Sequence, residues 1–225
     1  MRKPFLIGLI VAAMLLLVRN LYVMFMDLPD EVMQGAIFRI IFFHVPAAWT
    51  ALLAAFFSML LSATYLVTRN LKWDALAVSV TEVGLAFGAA NLVTGMIWGR
   101  IIWGIWWAWD PRLTSMLICE LLYFGYLMLR KAIDDPTQRA RIAAVLSIFF
   151  FSDVPIVIFS IKWFRTQHPQ PVVWGGGSMD PAYKAVLYLN WIPFLLLAGV
   201  LIAYRMRQEV TQREIDTLRR YAHEF

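Results

Sequence analysis

Charge and cysteine are both scarce in this 225-residue chain. Asp, Glu, Lys and Arg make up 16% of it, where a soluble domain carries about 25%, so an ordinary cytosolic enzyme is excluded. A single cysteine, Cys119, excludes a disulfide scaffold; with no CxxC companion it reads as a small buried hydrophobe. No GxxxxGK[ST] phosphate loop is present, so any ATP-driven step falls to another subunit. Internal repeats and low-complexity tracts are missing too. What is abundant is apolar: 61% of residues are hydrophobic and the mean hydropathy is +0.66, the reverse of a disordered chain. These figures leave an integral membrane protein.

Runs near 20 residues, long enough to cross a bilayer, lie at about 5–26, 47–67, 75–98, 114–129, 142–161 and 183–204. They predict an all-α bundle of six transmembrane helices, one membrane domain over 1–204, with a charged tail over 205–225. Arg2 and Lys3 precede the first run as in a secretory signal, but no small-residue cleavage site follows, so it is read as a retained helix. Lys and Arg set orientation by staying on the cytoplasmic side. With the N-terminus inside, thirteen fall in inner segments and six outside, namely Arg39, Arg100, Arg112, Lys162, Arg165 and Lys184, while Arg19 lies within the first span. Both termini are therefore expected in the cytoplasm. Val210, Leu218, Tyr221 and Phe225 recur at near-helical spacing, so the tail suits a membrane surface, a cytoplasmic partner, or simple solvation.

Tryptophan is distributed unevenly. Trp98, Trp103, Trp106, Trp107, Trp109, Trp163 and Trp174 fall in or beside expected outer loops, Trp49 and Trp191 in the outer halves of spans, and only Trp73 inside; an aromatic belt would populate both interfaces. Trp103, Trp106, Trp107 and Asp110 follow i, i+3, i+4, i+7 spacing, which predicts a short Trp-rich helix along the outer surface. With Gly99 and Gly104 leaving backbone bare, that face suits a large flat apolar ligand. Gly95 and Gly99 also form a GxxxG signature, so docking against a neighbouring helix is the structural alternative. Gly175, Gly176 and Gly177 read as a flexible point in the last outer loop.

Of three histidines, His44 and His168 lie on the tryptophan side, and His223 is in the tail. Each can simply bond a neighbour; two together beside a Trp surface suit paired axial ligands of a haem iron. The propionates of such a ligand need cations, for which Arg100, Arg112, Lys162 and Arg165 are close in sequence, although all four also suit lipid phosphates or snorkelling. Asp110 before Pro111 fits a helix N-cap, or a carboxylate orienting a histidine. Glu82, Glu120 and Asp153 fall inside spans and show no metal motif; Glu120 and Asp153 read as contacts within the bundle or between subunits. Pro155 predicts a kink with a freed carbonyl near Asp153.

The run Trp103-Gly104-Ile105-Trp106-Trp107-Ala108-Trp109-Asp110, followed by Arg112-Leu113-Thr114-Ser115, resembles the tryptophan-rich "WWD" signature of haem-handling membrane proteins. Arg39 through Trp49 and Ser152 through His168 match the same group, so the resemblance spans most of the chain. Six spans and two outer histidines resemble the haem exporter protein C branch, CcmC, of bacterial cytochrome c maturation. The resemblance implies a non-enzymatic inner-membrane subunit that holds haem b transiently at the periplasmic face and presents it to the haem chaperone CcmE. It further implies an ABC-type pair, CcmA and CcmB, and a one-span subunit, CcmD, with the lipid bilayer as surroundings and no nucleic acid. By position, His44 and His168 would be axial ligands and Trp103, Trp106, Trp107, Trp109 and Asp110 the platform. Pro169 departs from the polar residue, such as Gln, expected after the second histidine. A membrane b-type haem redox protein and a solute transporter using Glu120 and Asp153 are the alternative readings.

Overall fold

The computed structural model describes residues 3–171 and 178–223; Trp174 and Gly175 to Gly177 lie outside them. Among the described residues there is no strand, only an isolated bridge between Glu31 and Gly35. Seven helices account for six segments long and apolar enough to cross a membrane: α1 (Lys3–Tyr22), α2 (Ile41–Thr68), α3 (Leu71–Ile102), α4 (Pro111–Lys131), α5 (Pro136–Phe150) followed by α6 (Asp153–Trp163), and α7 (Pro181–His223). The all-α, six-span architecture is as expected.

Two departures have local causes. α2, preceded by a 3-10 turn over Ala36–Ile40, starts well before residue 47, so His44 sits inside a helix rather than ahead of one. Proline inside a helix strips a donor from the carbonyl four residues back; here Pro46 frees the Phe42 carbonyl, and the buried Asn190 amide of α7 donates to it instead. The expected Trp-rich helix does not form: residues 103–110 are turn, bend and extended chain. Gly104 takes a left-handed φ of +77° just after α3 ends, and Pro111 holds Asp110 in extended backbone at φ −76°, ψ 142°. Finally, residues 205–223 continue α7 without a break.

The kink expected near Pro155 is a full break at Phe151 and Ser152. Its freed Phe151 carbonyl is bonded by the Val154 N–H at 3.0 Å. α5 packs on α2 and α4, and α6 packs on α4.

α2 and α3 form the most extensive pairing, with α7 against both and α1 riding on α7. Small polar residues let the helices approach closely: Ser58 Oγ lies 2.7 Å from Thr81 and 2.9 Å from Ser147, joining α2, α3 and α5. Asn20 donates to the Leu189 carbonyl and to Asn190, tying α1 to α7. At one end of the bundle, buried Arg130 grips Asp74 with two bonds of 2.6 and 3.0 Å, and Arg213 from the α7 extension adds a third of 2.6 Å. Arg205 pairs with Glu82 and Glu209, and Glu209 with Arg213, completing an ionic ladder. The tail is thus pinned to α3, while Leu218 and Tyr221 remain exposed.

Candidate functional site

At the opposite end, where α2 begins and α3 finishes, helices α2, α3, α4, α6 and α7 border a cavity of about 730 Å³. That is within the roughly 300–1,000 Å³ of small-molecule sites. Its walls are mainly aliphatic and aromatic, and its polar lining comes from Gln34, His44, Asn91, Arg112, Lys162, His168 and Gln170.

His44 projects from the first turns of α2 onto α3. Its ring passes over Gly95, where a Cβ would lie 2.9 Å from Cε1, and stands edge-on to Trp98 with centroids 5.8 Å apart. Thr94 Oγ1 lies 3.1 Å from Nδ1. The single Thr94 hydroxyl hydrogen goes to the Ala90 and Asn91 carbonyls, so Thr94 accepts from His44 and Nδ1 carries the proton. The Asn91 amide nitrogen, which can only donate, lies 3.2 Å from Nδ1 and 3.3 Å from Nε2, so in this tautomer it covers the Nε2 lone pair, which a ligand reaches by displacing it. That amide also donates to the His44 carbonyl at 3.1 Å, fixing backbone and ring together.

His168 reaches the same cavity from the loop after α6. Its Nδ1 lies 2.9 Å from the Pro169 carbonyl, which can only accept, so Nδ1 is again the protonated nitrogen and Nε2 the free lone pair. Burial first, and the Arg112 charge second, pull this imidazole down to about 4 against the Pro169 bond and Asp110, so it is neutral at physiological pH. Proline in place of a polar residue costs nothing here, because the backbone carbonyl makes the bond.

Asp110 serves two elements at once. It caps α4 by accepting from the Arg112 N–H at 2.8 Å. It also accepts from Thr166 Oγ1 at 2.7 Å and the Gln167 N–H at 2.8 Å, and Thr166 in turn accepts from the His168 N–H at 2.9 Å. Burial raises the carboxyl's pKa, but these donors outweigh it and hold the group below the usual carboxylate range. Asp110 therefore positions the histidine loop through Thr166 without touching the imidazole.

The tryptophans divide into two pairs. Trp103 lies over Gly99, within 3.1 Å of where a Cβ would stand, and lines the cavity with Trp107. Gly95 and Gly99 thus make room for the His44 and Trp103 rings. Trp107 Nε1 is buried with no hydrogen-bond partner among the described residues. Trp106 and Trp109 are 56% and 78% exposed and are not part of the lining. Among the cations, Arg112 lines the cavity and donates to the Val157 carbonyl, and Lys162 also borders it. Arg100 closes the turn by donating to the Gly104 carbonyl, and Arg165 is exposed; neither borders the cavity.

Sequence reasoning passed over Gln34, Asn91, Thr94 and Thr166. Gln34 accepts from Trp98 Nε1 at 2.8 Å. For Asn91 a signal exists: Asn91, Gly95 and Gly99 follow i, i+4, i+8 and so share one helix face. Across the cavity, Trp49 stacks on Tyr188 at 5.7 Å and meets Trp191 at 5.1 Å.

Residues 1–221 match the family described as CcmC, Heme exporter protein C. The chain is 39% identical over 192 residues to Heme exporter protein C of Bradyrhizobium diazoefficiens, covering 84% of this chain and 73% of that one. It is 37% identical over 188 residues to Heme exporter protein C of Escherichia coli K12, covering 83% and 76%. A Marchantia polymorpha protein named "Putative cytochrome c biosynthesis ccmC-like mitochondrial protein" is 32% identical over 181 residues, covering 80% and 77%. On a match over nearly the whole chain and relatives at this identity, the chain belongs to the Heme exporter protein C family.

Proposed function

We propose that this protein handles haem for cytochrome c maturation, holding it in the cavity between His44 and His168. One observation carries the reading: two imidazoles, each with Nδ1 facing an acceptor, line a single apolar cavity, with Nε2 free in His168 and covered only by the Asn91 amide in His44. Imidazole in that form is a haem-iron ligand, and two complete a six-coordinate site. Trp103 and Trp107 offer rings to a flat macrocycle, and Arg112 and Lys162 offer donors for carboxylates. The names of the relatives, Heme exporter protein C, support haem as the cargo.

On this reading the cavity end faces the periplasm, both termini and the ionic end lie in the cytoplasm, and the surrounding bilayer is the bacterial inner membrane. The charge distribution of the loops supports that orientation. The cargo is haem b, passed to the chaperone CcmE, with CcmA, CcmB and CcmD as companion subunits supplying what this chain lacks. The protein is a holding and transfer subunit, not an enzyme. Exposed Trp106 and Trp109 sit beside the cavity segment, where a chaperone would meet them.

The test is haem content and absorption of the detergent-purified protein, alone and with the chaperone. Wild type acquires a Soret band and the His44→Ala, His168→Ala double variant loses it. Undiminished haem in the double variant overturns the ligand assignment.

A further inference from the structure

Toward the ionic end from the main cavity, α2, α3 and α4 enclose a second space of about 20 Å³, which shares the walls Leu52 and Met116 with the first. Glu120, Tyr123, Thr81 and Cys119 border it among apolar residues. Tyr123 is 4% exposed, and its hydroxyl is buried with no hydrogen-bond partner among the described residues. Glu120 meets neither a cation nor a donor among those residues. Its carboxyl lies against Gly88, where a Cβ would collide with Oε2. Gly88 is what lets the carboxyl fold back into the bundle.

A buried phenol and a half-buried carboxyl, each without a partner among the described residues, carry a desolvation penalty. Both border one space, and a space of at least roughly 10–15 Å³ takes a water when polar partners surround it. A metal ion does not suit it, because no group of three His, Cys, Asp or Glu able to hold one occurs among the described residues. Thr81, the third polar group there, already donates to the Ala77 carbonyl and hydrogen-bonds Ser58.

We propose that this space is a hydration site, in which a bound water accepts from Tyr123 and donates to Glu120. Glu120 is then a carboxyl hydrated from within the bundle. This holds whatever occupies the larger cavity.

The test is X-ray radiolytic hydroxyl-radical labelling in ¹⁸O-water of the full chain in lipid nanodiscs, read by mass spectrometry at Cys119 and Tyr123. A water bound beside them labels both despite their burial, at rates comparable with exposed Tyr22. Glu120→Leu then lowers labelling of Cys119 and Tyr123 severalfold, while Glu120→Gln, which keeps a polar partner, retains it. Tyr123→Phe lowers labelling of Cys119 and decides the matter if Glu120→Leu fails to fold. Unlabelled Cys119 and Tyr123 in the wild type, or labelling that survives both Glu120→Leu and Tyr123→Phe, overturns the proposal.

Discussion

At one end of the bundle Asp74, only 3% exposed, takes bonds from Arg130 and Arg213, and Glu82 and Glu209 engage Arg205 and Arg213. At the other end the His168 imidazole keeps an unspent lone pair, that of His44 is covered only by the Asn91 amide, an indole N–H has no partner among the described residues, and the helices part around about 730 Å³. The first end closes its charge pairs and holds α3, α4 and α7 in register. The second leaves donors and acceptors unspent, which costs stability and is the condition for holding a ligand. α3 joins the two, carrying Asp74 near its start and Asn91, Thr94 and Gly95 toward its finish.

The largest effect should come from breaking the closed end. Asp74→Ala leaves Arg130 buried without its carboxylate, which typically costs about 3–5 kcal/mol. Unfolding in detergent should show this loss, whereas His44→Ala, at the open end, should leave the unfolding midpoint nearly unchanged while haem content falls. Equal destabilisation by both would erase the distinction.

Gly95→Ala sharpens it next. The added methyl would stand 2.9 Å from His44 Cε1, so the imidazole must shift from its bond with Thr94. Haem occupancy should fall and the Soret band move, with the ionic end untouched.

Acid should also act on the open end. The His168 pKa is about 4 in the fold, below its ordinary 6.5, mainly through burial. Between those values the unfolded state binds more protons, so stability falls as pH drops from 6.5 toward 4. Asp110, held low by its donors, works in the same direction as its stabilisation is lost on protonation. Haem retention followed by absorption should therefore persist through pH 6 and fail as pH approaches 4. Loss complete by pH 6 would mean that His168 titrates as a free imidazole.

The smallest differences lie among the tryptophans. Trp107→Ala should lower haem occupancy more than Trp106→Ala, because only Trp107 lines the cavity; aromatic pairing is worth roughly 0.5–1.5 kcal/mol beyond burial. Trp107→Phe should be milder, losing the Nε1 donor and keeping a ring. Retained haem with lost chaperone transfer in Trp106→Ala would mark that residue as a docking contact.

Hydrophobic run length carried the six helices, because a bilayer-length apolar stretch has few other fates. It misplaced the start of α2, since Pro46 looks like a breaker until Asn190, far along the chain, is seen to supply the missing donor to Phe42. Helical spacing misread residues 103–110 because periodicity ignores backbone constraints, and Gly104 and Pro111 decide that segment. At the site, the N-cap role of Asp110 was legible from Asp-Pro alone. Its grip on Thr166 and Gln167 was not, because that contact joins elements more than fifty residues apart. The histidine tautomers were equally hidden, since they depend on Thr94 and on a backbone carbonyl.

The central claim is that His44 and His168 both ligate haem iron through Nε2. The most direct measurement is the electron paramagnetic resonance spectrum of the ferric haem-loaded protein, compared with His44→Gly and His168→Gly with and without added imidazole. The account predicts a low-spin signal in the wild type, a high-spin signal in each single variant, and recovery of low spin when imidazole enters the vacated position. A low-spin signal unchanged by either substitution would contradict it.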